Sequence, residues 1–106
     1  MPLTHDFKET IRARAKTDPA FREALLREGI EAFFSGDVEA GKAVVRDYIN
    51  ATIGFQALAK ATKTPSKSLM RQFGPRGNPQ ARKLFAVLGY LQKEAGFRFE
   101  LRPAKR

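Results

Sequence analysis

The sequence has no cysteine and no tryptophan, and its one histidine is His5. Without cysteine there is no disulfide framework, no thiolate zinc site and no thiol nucleophile. One histidine near the chain start cannot supply a histidine metal site or a Ser-His-Asp constellation. His5 therefore reads as an exposed residue, and no metal or cofactor is expected. No apolar run approaches the ~18 residues that a membrane span needs. The opening MPLTHDFKET lacks the apolar core of a signal peptide. Absence of cysteine fits a cytoplasmic location. One further absence is local: no acid lies between Asp47 and Glu94, a stretch that holds eight Lys and Arg.

The chain has 106 residues, 42% hydrophobic and 29% charged, which fits one globular domain rather than a disordered tail. Its net charge of +9 is unevenly spread. Residues 1–53 carry 8 basic and 9 acidic side chains, whereas 54–106 carry 12 basic and 2 acidic. A near-neutral half joined to a strongly basic half implies a polyanionic partner, nucleic acid first in line. The carboxylates Asp6/Glu9, Glu28/Glu31 and Asp37/Glu39 would form a nuclease site only by converging in a cleft. Most acids instead have a base at helical spacing, as in Asp18–Arg22, Glu23–Arg27 and Arg27–Glu31. They read as solvated helix pairs, and no enzyme activity is expected.

Helical spacing dominates. The first helix should start near Thr4 or Asp6 and carry Leu3, Phe7 and Ile11 on one face. Asp18-Pro19 has the form of a cap followed by Pro in the first turn, opening a helix that runs through Leu25, Leu26, Ile30, Phe33 and Phe34 to Gly36. Asp37 should cap a third helix bearing Val38, Gly41, Val44, Val45, Tyr48, Ile49 and Ile53. A short helix with Phe55, Leu58 and Ala59 inward follows. Thr64-Pro65 should cap the next, with Leu69, Met70 and Phe73 inward. After the loop Gly74-Pro75-Arg76-Gly77, Asn78-Pro79 should open a last helix bearing Leu84, Phe85, Leu88 and Leu91. The aromatics Phe33, Phe34, Phe55, Phe73 and Phe85 could stack on unpaired bases, but each lies at an apolar helical position and reads as core.

The tail changes period. Phe97, Phe99 and Leu101 alternate with Arg98, Glu100 and Arg102, as in a strand. A lone strand leaves backbone groups unpaired, so pairing with a second copy through Phe97, Phe99 and Leu101 is the economical expectation.

Residues 55–73 are the most informative. Two short helices joined by a polar turn, with small Ala59 in the first, have a helix-turn-helix layout. In that layout the second helix enters the major groove of DNA. It would present Ser66, Lys67 and Ser68, then Arg71 one turn on. Lys and Arg can donate to guanine O6 and N7, and Ser is a permissive contact. The turn residues Lys63 and Thr64, Gln56 of the first helix and Arg76 of the Gly-rich loop complete the candidate DNA-binding set. The alternative is a pair of core helices with solvated cations. Arg82 and Lys83 oppose the last helix dipole, a weak pointer to phosphate, and Lys105 and Arg106 form a basic tail.

The runs TPSKSLMRQFGPRGNP at 64–79, KLFAVLGYLQ at 83–92 and FRFEL at 97–101 resemble the addiction-module antidote proteins (HigA-like antitoxins). These are a subgroup of the XRE-type, λ-repressor-like DNA-binding domains, and the likeness extends over about 37–102. It implies a mainly α, λ-repressor-like helix-turn-helix domain over 37–106, with a short C-terminal β-strand and an N-terminal helical extension over 1–36. It implies a homodimer that binds a double-stranded DNA operator, with a RelE/ParE-type ribonuclease toxin as a further partner. Ser66, Lys67, Ser68 and Arg71 match the family's DNA-facing positions. One departure stands out: Lys63 occupies a turn position where the family usually has Gly, so it should adopt positive φ at a cost of roughly 1 kcal/mol. Competing readings are a stand-alone regulator, a toxin-capturing module in which 1–53 supplies the acidic contacts, and nonspecific nucleic-acid packaging.

Overall fold

The computed structural model describes residues 5–104. Expectations for Leu3, Thr4, Lys105 and Arg106 lie outside the described residues, as do those for the side chains of His5 and Asp6. The chain runs α1 (His5–Thr17), α2 (Pro19–Phe34), α3 (Val38–Ala51), α4 (Phe55–Thr62), α5 (Ser66–Gln72) and α6 (Ala81–Ala95). The mainly α expectation holds.

Local chemistry explains the first half. The Asp18 carboxylate accepts from the Phe21 amide at 3.2 Å, and Asp37 accepts from the Ala40 amide at 3.1 Å. Each satisfies a free N–H of a first helical turn, worth about 1 kcal/mol. Between them α2 closes with paired bonds, Gly36 N–H to Phe33 O at 3.1 Å and Asp37 N–H to Ala32 O at 2.9 Å. That closure needs the positive φ of Gly36, here 92°. Asp37 thus ends one helix and starts the next, which folds α2 tightly back on α3.

The core joins Leu26 and Ile30 of α2, Val45, Tyr48 and Ile49 of α3, Phe55 and Leu58 of α4, Leu69 and Phe73 around α5, and Val87 and Leu91 of α6. The segment expected as an extension therefore contributes to the same buried cluster. Burial pushes the Tyr48 hydroxyl pKa above 10.0, with the Arg22 guanidinium opposing and the Glu94 carboxylate adding.

Several expectations are corrected. No strand forms among the described residues, and 97–104 is irregular. Its alternation is real, since Phe97 and Phe99 are half-buried while Arg98 and Glu100 are exposed. The two rings meet edge to face at 5.4 Å. The Phe99 amide, however, donates to Gln92 Oε1 at 2.7 Å, so a side chain takes the bond that a ladder would use.

Thr64 does not cap α5. Its hydroxyl donates to Thr62 O at 3.1 Å and accepts from Lys83 Nζ, and Pro65 is the cap residue. Nor does Asn78 cap α6. That helix starts two residues later, with Gln80 at its cap and Pro79 buried in the approach.

Phe34, Phe85 and Met70 are not core: they are 71%, 61% and 52% exposed. Each follows a residue that turns inward, Phe33, Leu84 and Leu69, and one helical step rotates a side chain by ~100°. Asp18 sits 3.6 Å from Arg14 rather than pairing with Arg22. Arg22 instead donates to the α1 carbonyls of Ala15 and Lys16, at 2.7 and 3.2 Å. The Glu23–Arg27 pair forms as expected, at 2.7 Å.

Candidate nucleic-acid interface

The α4–α5 pair is built around a turn closed by backbone bonds. The Lys63 amide donates to Lys60 O and the Thr64 amide to Ala59 O, at 3.4 and 3.0 Å. Those bonds close α4 only if Lys63 is left-handed, and it is, with φ 53° and ψ 44°. It is the one non-glycine residue of positive φ among the described residues. The expectation for this position is met. The half-buried Ala59 packs at the edge of the core, and α4 lies against both α5 and α6.

Leu69 and Phe73 are fully buried and set the rotation of α5. Its outer face then carries Lys67, Met70 and Arg71, all exposed, with Ser66 and Ser68 half-buried at the margins. A shallow groove is lined by Gln56, Lys60, Lys63, Thr64 and Ser66. The loop bearing exposed Arg76 lies on the last turn of α5, since a Cβ at Gly77 would collide with the carbonyls of Arg71 and Gln72. The structure thus brings Gln56, Lys63, Thr64 and Ser66 together, with Lys67, Ser68 and Arg71 on the adjoining helix and Arg76 beside its end. Phe97 and Phe99 lie apart from this surface, packed on the core. Leu101 is 91% exposed and borders a separate groove with Ile30 and Phe34 of α2.

Two cations that the sequence reading passed over hold α5 from behind. Lys42 of α3 is 2% exposed, and its ammonium donates to Gly74 O at 3.2 Å and to Gly77 O. Glu39 lies 3.1 Å from the same nitrogen. One turn on, Arg46 donates to Phe73 O at 2.7 Å. The Phe73 and Gly77 carbonyls would otherwise lack a partner at the end of α5 and in its loop, while Gly74 O also accepts from the Gly77 amide at 3.0 Å. A buried charge bonded in this way loses heavily if one partner is removed. The signal was present, because Lys42 interrupts the apolar stripe of Gly41, Val45 and Ile49 on α3. A third tie joins Lys83 of α6 to Thr64 in the turn. These bonds pin the α4–α5 unit at its turn and at its far end.

The acid-free stretch that builds this face exposes mostly cations. Of the eight cations between Asp47 and Glu94, Lys60, Lys63, Lys67, Arg71, Arg76, Arg82 and Lys93 are exposed and Lys83 is half-buried. The Glu23–Arg27 ion pair forms away from this surface, while the exposed Glu39 approaches its edge, 3.1 Å from the Lys42 ammonium that holds the Arg76 loop. Among the described residues no group of His, Asp or Glu is placed to hold a metal ion, and no helix is long and apolar enough to cross a membrane. Comparison with family models, curated proteins and solved structures finds no match for this chain.

Proposed function

We propose that this chain is a helix-turn-helix DNA-binding regulator that acts by binding rather than catalysis, as a homodimer on a double-stranded operator. In this reading α4 lies across the backbone and α5 enters the major groove. Lys67 and Arg71 reach base edges or phosphates, Ser66 and Ser68 help set the register, and Lys63 and Arg76 contact phosphates. One observation carries the reading: a rigidly tied short helix presents exposed cations on a surface whose sequence has no acid to neutralise them. In a dimer the two α5 helices would lie roughly 34 Å apart to read a palindrome. Phe97, Phe99 and Leu101 are the residues proposed for that contact, with Leu101 fully offered and the two rings half-buried.

The test is Arg71→Ala on a duplex that the wild-type protein selects from a random library. The exposed arginine leaves the fold intact, so binding should weaken by about 1–3 kcal/mol and one position of the site should relax. Unchanged binding would put α5 outside the groove.

The resemblance of 64–79 to HigA-like antidote proteins supports the narrower role of an antitoxin that represses its own operon. A second reading, capture of a small basic RelE/ParE-type toxin, is favoured by exposed Phe34 on α2 near the exposed acids Glu28 and Glu31. Leu26 and Ile30 belong to the core, so removing residues 1–36 would damage the fold, and point substitutions are the proper probe of that face.

A further inference from the structure

The outer face of α5 holds one residue that neither charge nor packing explains. Met70 is 52% exposed, between Lys67 and Arg71, while its neighbour Leu69 is fully buried. It is not among the partly buried residues packed against the core. The helix cannot roll to cover it. Leu69 and Phe73 are fixed in the core on either side of it, and Arg46 and Lys42 hold the carbonyls of Phe73 and Gly74. A flexible apolar side chain is thus held half-exposed along the flank of the cationic face proposed to meet DNA, one turn from Lys67 and next to Arg71.

We propose that Met70 reads the C5-methyl group of a thymine by apolar contact in the major groove, which makes it a specificity-determining residue. The inference rests on the DNA-binding reading above. Lys67 and Arg71 are donors only, suited to guanine O6 and N7 or to phosphate. The thymine methyl is the apolar feature of the major-groove edge, and neither cation is suited to reading it. An unbranched thioether adapts its shape to such a target at small cost. A protein partner is the competing occupant of an exposed methionine. The flanking cations, in a stretch with no acid, favour the polyanion.

Deoxyuridine in place of thymidine removes one methyl and leaves the hydrogen-bonding groups unchanged. The wild-type protein first selects a duplex from a random library. Copies carrying deoxyuridine at one position at a time are then titrated by fluorescence anisotropy. At one position per half-site the wild type should lose about fourfold in affinity, the transfer free energy of one methyl group. Met70→Ala should bind the thymidine and deoxyuridine forms of that site equally, while Met70→Leu keeps the discrimination. An exposed side chain can be changed in this way without unfolding the chain. A wild type indifferent to every deoxyuridine overturns the proposal, as a patch meant for a protein would give. Discrimination that survives in Met70→Ala also overturns it, because another group then reads the methyl. If the wild type enriches no duplex, the DNA-binding reading itself fails, a result distinct from either of these.

Discussion

Lys63→Gly should make the protein more stable and a weaker DNA binder. Lys63 is left-handed, with φ 53° and ψ 44°. For a residue with a Cβ that conformation costs about 1–2 kcal/mol, and glycine does not incur it. The bonds that close α4 run between backbone atoms, Thr64 N–H to Ala59 O at 3.0 Å among them, so glycine keeps them. The side chain is exposed and takes no packing with it. Against this gain, glycine adds about 0.4–1 kcal/mol of unfolded-state entropy. The balance is a net stabilisation of about 0.5–1 kcal/mol, a rise of a few degrees in Tm for a domain of this size. Urea titration and thermal melting followed by circular dichroism measure it. The same change removes an exposed cation from the turn. If Lys63 meets a phosphate, the log–log salt slope of DNA binding becomes shallower by about 0.9. A variant no more stable than the wild type would refute the account of the turn. A more stable variant with an unchanged salt slope would remove Lys63 from the interface.

Lys42→Met removes the buried ammonium, which leaves the Gly77 carbonyl without a partner and the Gly74 carbonyl with the Gly77 amide alone. One unsatisfied carbonyl costs about 1–3 kcal/mol, partly offset because a charge no longer has to be buried, so urea titration should show a loss of about 1–2 kcal/mol. A variant as stable as the wild type would mean that the clamp contributes nothing. Phe34→Ser should change stability by no more than about 0.5 kcal/mol, as expected of a surface position, with m unchanged in the same titration. A cost of about 3–5 kcal/mol, the range for truncating a buried phenylalanine such as Phe73, would place Phe34 in the core after all.

Where sequence and structure agree, a short-range rule decides the outcome. Asp18 and Asp37 cap their helices because a carboxylate can reach an amide three residues on, whatever the rest of the chain does. Lys63 is left-handed because two short helices joined by so few residues need a reversal there. Where they differ, a distant residue intervenes. Thr64 has the composition of a cap, but Lys83, 19 positions away, engages its hydroxyl. Asn78-Pro79 has the form of a helix start, but burial of Pro79 delays α6 to Ala81. The tail alternates as a strand would, yet Gln92 captures the Phe99 amide.

The same distinction applies to the site. The exposed positions Lys67, Arg71 and Arg76 follow from the acid-free stretch and from helical spacing. The support behind them, Lys42 and Arg46 on carbonyls 27 to 35 residues away, depends on how α3 packs, which spacing alone does not encode. Helical spacing alone points Met70 inward with Leu69 and Phe73. Its exposure follows from Leu69 and Phe73 setting the rotation of α5.

The central claim is that the α4–turn–α5 face binds duplex DNA. The most direct measurement is the affinity of the full chain for its selected duplex and for a scrambled duplex, each across a series of salt concentrations. The account predicts tighter binding to the selected duplex and a linear fall of log K with log salt, with a slope of about −0.9 per phosphate contacted. Equal affinity for both duplexes would reduce the protein to a nonspecific polyanion binder. Affinity that does not respond to salt would contradict DNA binding by this cationic face.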